Sequence, residues 1–241
     1  TFWYAVKVKR NIVAKRFTLG NRTFKFSITN KMLELLHLLD LNLGGMLGTQ
    51  GIIPERDKKF YLINSIMEEA IASSQMEGAS TTRRVAKEML RKQLKPQNRG
   101  QQMIYNNYAT IRYLVENQEQ EFSVELLKEI QRLITYKTLT NREYEGSFRT
   151  SDDIMVMDSI TGEIAHTPPS YEDIEKWIAQ LADFINNDDE KFFIHPIIKG
   201  IIIHFMIAYI HPFTDGNGRT ARSLFYWYML KKGYWLTEYL S

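Results

Sequence analysis

The chain has 241 residues, of which 44% are hydrophobic, so it can bury one large core or two small ones. Its 31 basic and 28 acidic residues nearly balance, which argues against a dedicated nucleic-acid-binding protein. The absence of cysteine excludes disulfides and thiolate metal sites and is typical of a reducing compartment, so we expect a cytoplasmic protein. No apolar run approaches the roughly 20 residues of a membrane-spanning helix, so we expect no membrane partner.

The first 50 residues are predicted to form a small β-hairpin followed by a helix. Apolar residues alternate with polar ones in two stretches, 2–8 and 24–28, which a turn at Gly20 separates. Asn30 is then predicted to cap a helix over residues 32–39, which ends before a glycine-rich loop.

Helical periodicity dominates the remainder of the chain. The predicted helices cover residues 57–76, 81–92, 101–116, 123–136, 171–186, 196–210 and 219–232. The exception is residues 153–169, where two short apolar runs flank a polar turn and predict a second hairpin that ends at Pro168–Pro169. We divide the chain into an N-terminal hairpin and helix at 1–50, a helical region at 51–120 and a core at 121–241.

The predicted helix at 196–210 is apolar almost all round, which places it in the middle of the core. It carries His211 at its C-terminal end, and Pro212 prevents the chain from continuing as a regular helix. The imidazole is therefore expected at the end of a rigid, buried helix.

The residues from His211 to Arg222 (HPFTDGNGRTAR) combine an imidazole, a carboxylate, a glycine-rich turn and two guanidinium groups. Gly216 and Gly218 free the backbone for a close approach to a ligand, and the amides around Asn217 can form an anion-binding nest. The helix that follows directs its N-terminal amides at the same place. A tight turn between two helices explains the glycines alone, but not their combination with the charged residues.

The charged side chains of this stretch suit phosphate and a divalent cation. Arg219 and Arg222 are three residues apart, share a helix face and can bind phosphate oxygens in pairs. Asp215 is the only carboxylate of the loop, so we expect it to bind Mg²⁺, with water and phosphate completing the shell. His204 is better explained as a hydrogen-bonded core histidine than as a metal ligand, for want of a third ligand.

His211 to Arg222 match the signature H-P-F-x-[DE]-G-N-G-R-x-x-R, and the chain therefore resembles the Fic domain family. Residues 195–199 and 146–149 also resemble the family's segments before the motif and before its flap. The resemblance extends over roughly residues 50–241. It implies a mainly α fold, a Fic-type helical bundle around a central buried helix, in which the hairpin at 153–169 is the flap.

The resemblance also implies an activity, since Fic proteins mostly transfer AMP from ATP to a Ser, Thr or Tyr hydroxyl of a target protein. His211 would be the general base, and Asp215 would hold Mg²⁺ against the phosphates of the co-substrate ATP. The nucleotide-binding residues would be Gly216, Asn217, Gly218, Arg219, Thr220, Ala221 and Arg222. The flap residues expected to dock the target are Ile164, Ala165, His166 and Thr167, with His166 an ordinary surface residue rather than a catalytic one.

A further family pattern, [ST]-x-x-x-E-[GN], is matched from Ser73 to Gly78 at the end of a predicted helix. In the subclass with an N-terminal inhibitory helix, such a glutamate pairs with the last arginine of the motif. By that likeness Ser73, Glu77 and Gly78 form an inhibitory element in which Glu77 denies Arg222 to the γ-phosphate. The alternative is a helix end capped by Gly78, with Glu77 in solvent.

Several alternatives stay open on the sequence. Family members commonly carry Asn where this chain has Tyr226, so the choice of nucleotide base is open, and part of the aromatic run 225–228 could stack on it. Transfer of UMP, of another nucleotide or of phosphate, removal of AMP, and a silent nucleotide-binding regulator are the other functions to be weighed. The expected partners are ATP and an unidentified target protein, with the chain itself as a further target and a homodimer left open.

Overall fold

The computed structural model describes residues 2–43, 55–158, 160–187 and 193–234. Its elements are α1 (Phe2–Val13), β1 (Lys15–Leu19), β2 (Arg22–Phe26), α2 (Asn30–Leu43), α3 (Glu55–Met76), α4 (Arg83–Arg91), α5 (Arg99–Glu116), α6 (Val124–Thr135), β3 (Val156–Met157), β4 (Ile164–His166), α7 (Ile174–Asn186), α8 (Pro196–Ile210) and α9 (Asn217–Lys231). Short 3-10 turns at Arg142–Tyr144 and Tyr171–Asp173 complete the chain order. The predicted mainly helical fold with two small antiparallel hairpins is confirmed.

Helix α8 is the centre of the largest hydrophobic core, as its apolar sequence predicts. Ile203, Met206 and Ile207 have no exposed surface, and the helix packs against α7 and α9. The sides of this core are closed by α6 and by the β1–β2 hairpin, whose Phe17 and Phe24 rings stack. The rigid helix sets the position of the loop that follows it.

Helices α3, α4 and α5 form a second cluster of buried apolar side chains. Helix α3 packs along α5, and both contact α9. The C-terminal end of α3 is thereby brought to the N-terminal end of α9, although about 140 residues separate them in the sequence.

The prediction of a strand at residues 2–8 is wrong, because this segment is helix α1. Tyr4 and Val8 are one helical turn apart as well as alternating, so the pattern fits both periods. Trp3 packs its ring on the Lys7 ammonium at 5.5 Å, four residues along, which a helix allows and a strand does not.

The first strand of the hairpin is instead Lys15–Leu19, which pairs with Arg22–Phe26. The predicted turn at Gly20 is present, and Gly20 has a φ of +64°. The predicted helix at 32–39 extends over Asn30–Leu43, and the glycine-rich loop after it lies outside the described residues. Among the described helices none is long and apolar enough to cross a bilayer.

Candidate active site

His211 is the C-cap of α8 and has a left-handed backbone conformation, with φ 49° and ψ 58°. Its N–H still donates to the Ile207 carbonyl oxygen at 2.9 Å, and Pro212 then turns the chain away from the helix axis. A non-glycine residue in this conformation is uncommon and needs support from its surroundings. The backbone therefore places the imidazole at the start of the loop between α8 and α9.

Burial lowers the pKa of the His211 ring, an effect that a hydrogen bond with the Ala208 backbone opposes and the Arg149 charge reinforces. A lowered pKa favours the neutral form of the His211 ring at neutral pH. A neutral imidazole has a nitrogen that can accept a proton, which is the requirement for a general base.

The side chain of Asn217 closes the loop on itself. Its Oδ1 accepts from the Phe213 backbone N–H at 3.0 Å, and its Nδ2 donates to the Phe213 carbonyl oxygen at 2.7 Å. Phe213 is completely buried, so this pair of hydrogen bonds ties the loop to the core. The Asn217 side chain is thus committed to shaping the loop, and its backbone amide is the group left for a ligand.

The N-terminus of α9 opens onto the same loop. Its N-cap, Gly216, has a φ of +84° and gives the helix no side-chain cap. The first amides of a helix have no acceptor within the helix, and here they belong to Asn217, Gly218 and Arg219. Together with the helix dipole, these amides make the N-terminus of α9 a candidate anion site.

Gly216→Ala is expected to destabilise the fold by about 2–5 kcal/mol, the sum of a left-handed alanine and an overpacked contact. Its added Cβ would lie 2.8 Å from Thr135 Cγ2. Gly233→Ala, just after the other end of α9, is the control, because φ is +87° there but no atom of the described residues lies within 4 Å of the added Cβ. Urea unfolding measures both, and equal losses for the two variants would show that the contact with Thr135 does not matter.

Asp215 lies at the edge of this anion site, with its side chain 42% exposed. One carboxylate oxygen is 3.4 Å from Arg219 Nη2, and the other is 3.6 Å from Arg99 Nη2. Arg99 was not singled out from the sequence, because nothing local to it signals a partner 116 residues away.

A single half-exposed carboxylate beside an anion site fits Mg²⁺, which keeps several waters and takes one or two protein carboxylates plus phosphate oxygens. Among the described residues, no group of three or more histidine, aspartate or glutamate side chains is arranged to hold a metal ion. A metal at Asp215 would have to take its remaining ligands from water or from phosphate.

Arg219 is a buried arginine, with only 1% of its surface exposed. It donates from Nη1 to the Ile134 carbonyl oxygen at 3.2 Å, while its Nε is buried and has no acceptor among the described residues. Burial lowers the pKa of Arg219, although a guanidinium remains charged. Thr220 and Ala221 are fully buried, and the Thr220 N–H is used within the helix, where it donates to the Gly216 carbonyl oxygen at 2.8 Å.

Arg222 joins α9 to the end of α3. Its Nε donates to Ser73 Oγ at 2.8 Å, and its Nη2 donates to the Ser73 carbonyl oxygen at 3.1 Å and to Glu77 Oε1 at 2.6 Å. Gly78 ends α3 with a φ of +86°, so the segment is a glycine-capped helix end as well as a partner of Arg222. Glu77 is therefore not simply a solvated residue after a helix.

The Glu77 carboxylate also lies against the anion site. A Cβ at Gly218 would overlap Glu77 Oε1, and it would lie 3.2 Å from the Glu77 Cδ. The carboxylate thus occupies the space in front of the first turn of α9. The positive group paired with this carboxylate is Arg222, whose Nη2 donates to Glu77 Oε1 at 2.6 Å.

Two further ionisable groups lie within electrostatic range of Arg222. Burial raises the pKa of Glu69, one turn before Ser73 on α3, although the Arg222 charge opposes the shift. Burial lowers the pKa of His204, and Arg222 adds to that effect. The His204 ring is partly buried on α8 with Phe225 beside it, its ring centroid 6.3 Å away. Glu69 was not singled out from the sequence, because it belongs to no motif.

The flap is the hairpin of β3 and β4, in which the Asp158 N–H donates to the Glu163 carbonyl oxygen at 2.8 Å. Ile164 is 54% exposed, and Ala165 and Thr167 are exposed as well. His166 differs, because its Nε2 is 2.8 Å from the Tyr209 carbonyl oxygen and its ring packs on Tyr209. The expectation that His166 is an ordinary surface residue is wrong, since it fastens the flap to the last turn of α8.

The aromatic run at 225–228 contributes mostly to packing. Tyr226, Trp227 and Tyr228 are all buried, and Tyr226 packs with Ile66 between α3, α5 and α9. Phe225 is the member of the run that is partly exposed. Tyr226 is therefore a core residue in this structure.

Residues 121–229, which include the α8–α9 loop and the flap, match the model of the Fic/DOC family. Those residues form a Fic domain. The resemblance inferred from the motif is confirmed. The α8–α9 loop, the flap and helix α8 all lie inside the matched region.

Curated relatives match a short part of the chain. A protein adenylyltransferase Fic of Nematostella vectensis is 42% identical over 69 residues, which is 29% of this chain and 16% of the relative. Protein adenylyltransferase fic-1 of Caenorhabditis elegans is 40% identical over 68 residues, which is 28% of this chain and 13% of the relative. The matched part is thus less than a fifth of each of these relatives.

Solved structures share the fold. A Fic domain-containing signalling protein of Bacteroides thetaiotaomicron superposes with a TM-score of 0.67 and 18% identity, covering 86% of this chain and 78% of that one. Fic-1 of C. elegans superposes with a TM-score of 0.64 and 21% identity, covering 87% of this chain and 60% of that one. The Fic fold therefore extends over most of the chain.

Proposed function

We propose that this protein transfers AMP from ATP to a Ser, Thr or Tyr hydroxyl of a target protein, and that Glu77 restrains the reaction. The observation that carries the proposal is one loop between α8 and α9 that joins the neutral imidazole of His211 to the uncapped N-terminus of α9. Relatives of the Fic domain that are named protein adenylyltransferases support the same reaction class.

The transfer step uses His211 as the base. The target hydroxyl oxygen attacks the α-phosphorus of ATP and forms a new P–O bond, while the bond from that phosphorus to the bridging oxygen of pyrophosphate breaks. The hydroxyl proton goes to the His211 ring, whose pKa is lowered by burial, so that the ring is free to accept it. Pyrophosphate leaves with the electron pair of the broken bond.

The anion site holds the phosphates during this step. The amides of Asn217 and Gly218 and the Arg219 side chain supply fixed positive charge at the start of α9. Arg222, once separated from Glu77, adds a second guanidinium. Such transfers depend on positioning and charge neutralisation, which these groups provide.

Asp215 would hold Mg²⁺, which when bound would neutralise phosphate charge. Asp215→Asn is expected to weaken binding of Mn²⁺ in the presence of a non-hydrolysable ATP analogue by at least about tenfold, because the anionic ligand is lost. Electron paramagnetic resonance of free Mn²⁺ measures this. Asp173→Asn, an exposed carboxylate before α7 that makes no capping hydrogen bond, is the control. Unchanged Mn²⁺ affinity in Asp215→Asn would remove Asp215 from the metal site.

The target is expected to dock along the flap. Strand β4 pairs with β3 on one side, and Ile164 and Thr167 are exposed, so an extended target segment can add along this hairpin by backbone hydrogen bonds. That docking would bring a hydroxyl of the target to the side of the loop where His211 lies.

The reaction class is tested with the Glu77→Gly variant and two labelled forms of ATP. Label at the α-phosphate is expected to enter protein, and label at the γ-phosphate is not. Incorporation of the γ-label would instead show phosphate transfer. Incorporation of neither label, with target-rich lysate and with the chain alone, would favour a silent nucleotide-binding regulator. A parallel arm with α-labelled UTP tests the choice of base, which the buried Tyr226 does not determine.

A further inference from the structure

Arg149 lies between α6 and the flap and is only 2% exposed, yet the chemistry above does not use it. A buried guanidinium is costly unless its donors meet acceptors. The acceptors that surround Arg149 identify what it does.

On one side Arg149 holds the backbone of the catalytic loop. Its Nε donates to the His211 carbonyl oxygen at 3.0 Å, and its own backbone N–H donates to the Pro212 carbonyl oxygen at 2.9 Å. These carbonyls belong to His211 and to the next residue, so both bonds support the left-handed backbone at His211, an uncommon conformation that needs such support.

On the other side Arg149 holds both ends of the flap. Its Nη1 donates to the Ser151 carbonyl oxygen at 2.7 Å and to Asp152 Oδ1 at 2.6 Å, and its Nη2 donates to the Pro169 carbonyl oxygen. Ser151 precedes β3 and Pro169 follows β4, so the two stems of the hairpin meet at one guanidinium.

Asp152 extends this junction. It accepts from the Tyr171 N–H at 2.7 Å and from Ser170 Oγ at 3.0 Å, which ties it to the turn before α7. The Arg149 hydrogen bond, followed by those from Tyr171 and Ser170, lowers the pKa of Asp152. The carboxylate is therefore charged at neutral pH and remains a partner for the guanidinium.

We propose that Arg149 is a positioning residue that fixes the flap relative to the His211 imidazole. The inference rests on the proposed function, because it assigns to Arg149 the spacing between the docked target hydroxyl and the base. A guanidinium is planar and rigid, so one side chain that bonds both flap stems and the His211 carbonyl holds them in one geometry. A misplacement of about 1 Å between reacting groups can cost roughly a hundredfold in rate.

A second tether lies nearer to β4, where His166 bonds the Tyr209 carbonyl oxygen at 2.8 Å. It holds one strand of the flap, whereas Arg149 holds both stems. Loss of Arg149 should therefore loosen β3 and β4 together, and loss of His166 should affect β4 more than β3.

The test compares Arg149→Met and Arg149→Lys in the Glu77→Gly background, with the exposed Arg112→Met as the control. Hydrogen exchange of the flap amides, such as Asp158 N–H, should become at least about tenfold faster in Arg149→Met while the interior amides of α8 keep their protection. The kcat/KM for the target should fall about a hundredfold, with KM for ATP within about threefold of the parent value. Lysine should restore part of both losses, because it keeps the charge and some of the hydrogen bonds.

The proposal would be overturned if Arg149→Met left both the flap exchange and the target kinetics unchanged. It would also be overturned if Arg149→Met raised the KM for ATP as much as the KM for the target. If Arg149→Met does not fold, Arg149→Lys and Asp152→Ala provide the test. Each should accelerate hydrogen exchange of the flap amides, by less than the tenfold expected for Arg149→Met. Unchanged exchange in both would contradict the proposed role. Hydrogen exchange can be measured without catalysis. If the Glu77→Gly protein transfers no label, the proposed function is refuted, and the effect of Arg149 on flap exchange still tests whether this residue positions the flap.

Discussion

Replacing His211 by alanine in the Glu77→Gly variant is expected to lower AMP transfer by about 10²- to 10⁴-fold, the usual contribution of a general base. The loop should survive the change, because Asn217 ties it to Phe213 and the His211 backbone contacts involve its N–H and carbonyl groups. ATP binding should therefore stay within about threefold of the parent, because the anion site belongs to α9. Initial rates with α-labelled ATP and calorimetric titration of a non-hydrolysable analogue measure the two quantities.

His37→Ala provides the matched control, since His37 is an exposed histidine on α2. It should change neither the transfer rate nor the affinity for the analogue. A His211→Ala variant that keeps its rate would show that the imidazole is not the base. One that loses affinity for the analogue as strongly as rate would assign His211 a role in the shape of the site.

Replacing Glu77 by glycine is expected to raise automodification and target labelling by about ten- to a hundredfold. A charge-assisted pair contributes about 1.5–3 kcal/mol, and the 34% exposure of the Glu77 side chain places the effect toward the lower end. The change also clears the space against Gly218 at the start of α9. Because Glu77 follows the last residue of α3, glycine there should cost the helix little.

Two further variants separate the ion pair from general loosening of α3. Glu68→Gln breaks contacts of a carboxylate on the same helix with Arg83 and Lys87, and it should leave labelling unchanged. Ser73→Ala removes the acceptor of Arg222 Nε and should raise labelling less than Glu77→Gly does. If Glu77→Gly labels no better than the parent across a range of Mg²⁺ and target concentrations, the restraint by Glu77 is refuted.

The parts of the molecule that could be predicted are those encoded locally. Helix α8 is apolar round its circumference and ends at a proline, so its bounds were predicted to the residue. The loop from His211 to Arg222 has its chemistry in consecutive residues, which the motif records. The turn at Gly20 and the flap hairpin likewise depend on glycine and proline signals within a few residues.

The parts that could not be predicted depend on tertiary contacts or on ambiguous periods. Residues 2–8 alternate as a strand would, although Tyr4 and Val8 are also one helical turn apart, and the packing of Trp3 on Lys7 accompanies the helix that forms. Arg99 reaches Asp215 from another helix, and the acceptors of Arg149 come from both sides of the flap and from α8. No pattern in the sequence joins residues that are so far apart.

Adenylyl transfer at this loop is tested most directly by the intact mass of the Glu77→Gly protein after incubation with ATP and Mg²⁺, beside the Glu77→Gly/His211→Ala double variant. The first should gain the mass of one adenylyl group and the second should gain nothing. A gain of one phosphate, the same gain in both proteins, or no gain in either with target and ATP in excess would contradict adenylyl transfer at this loop.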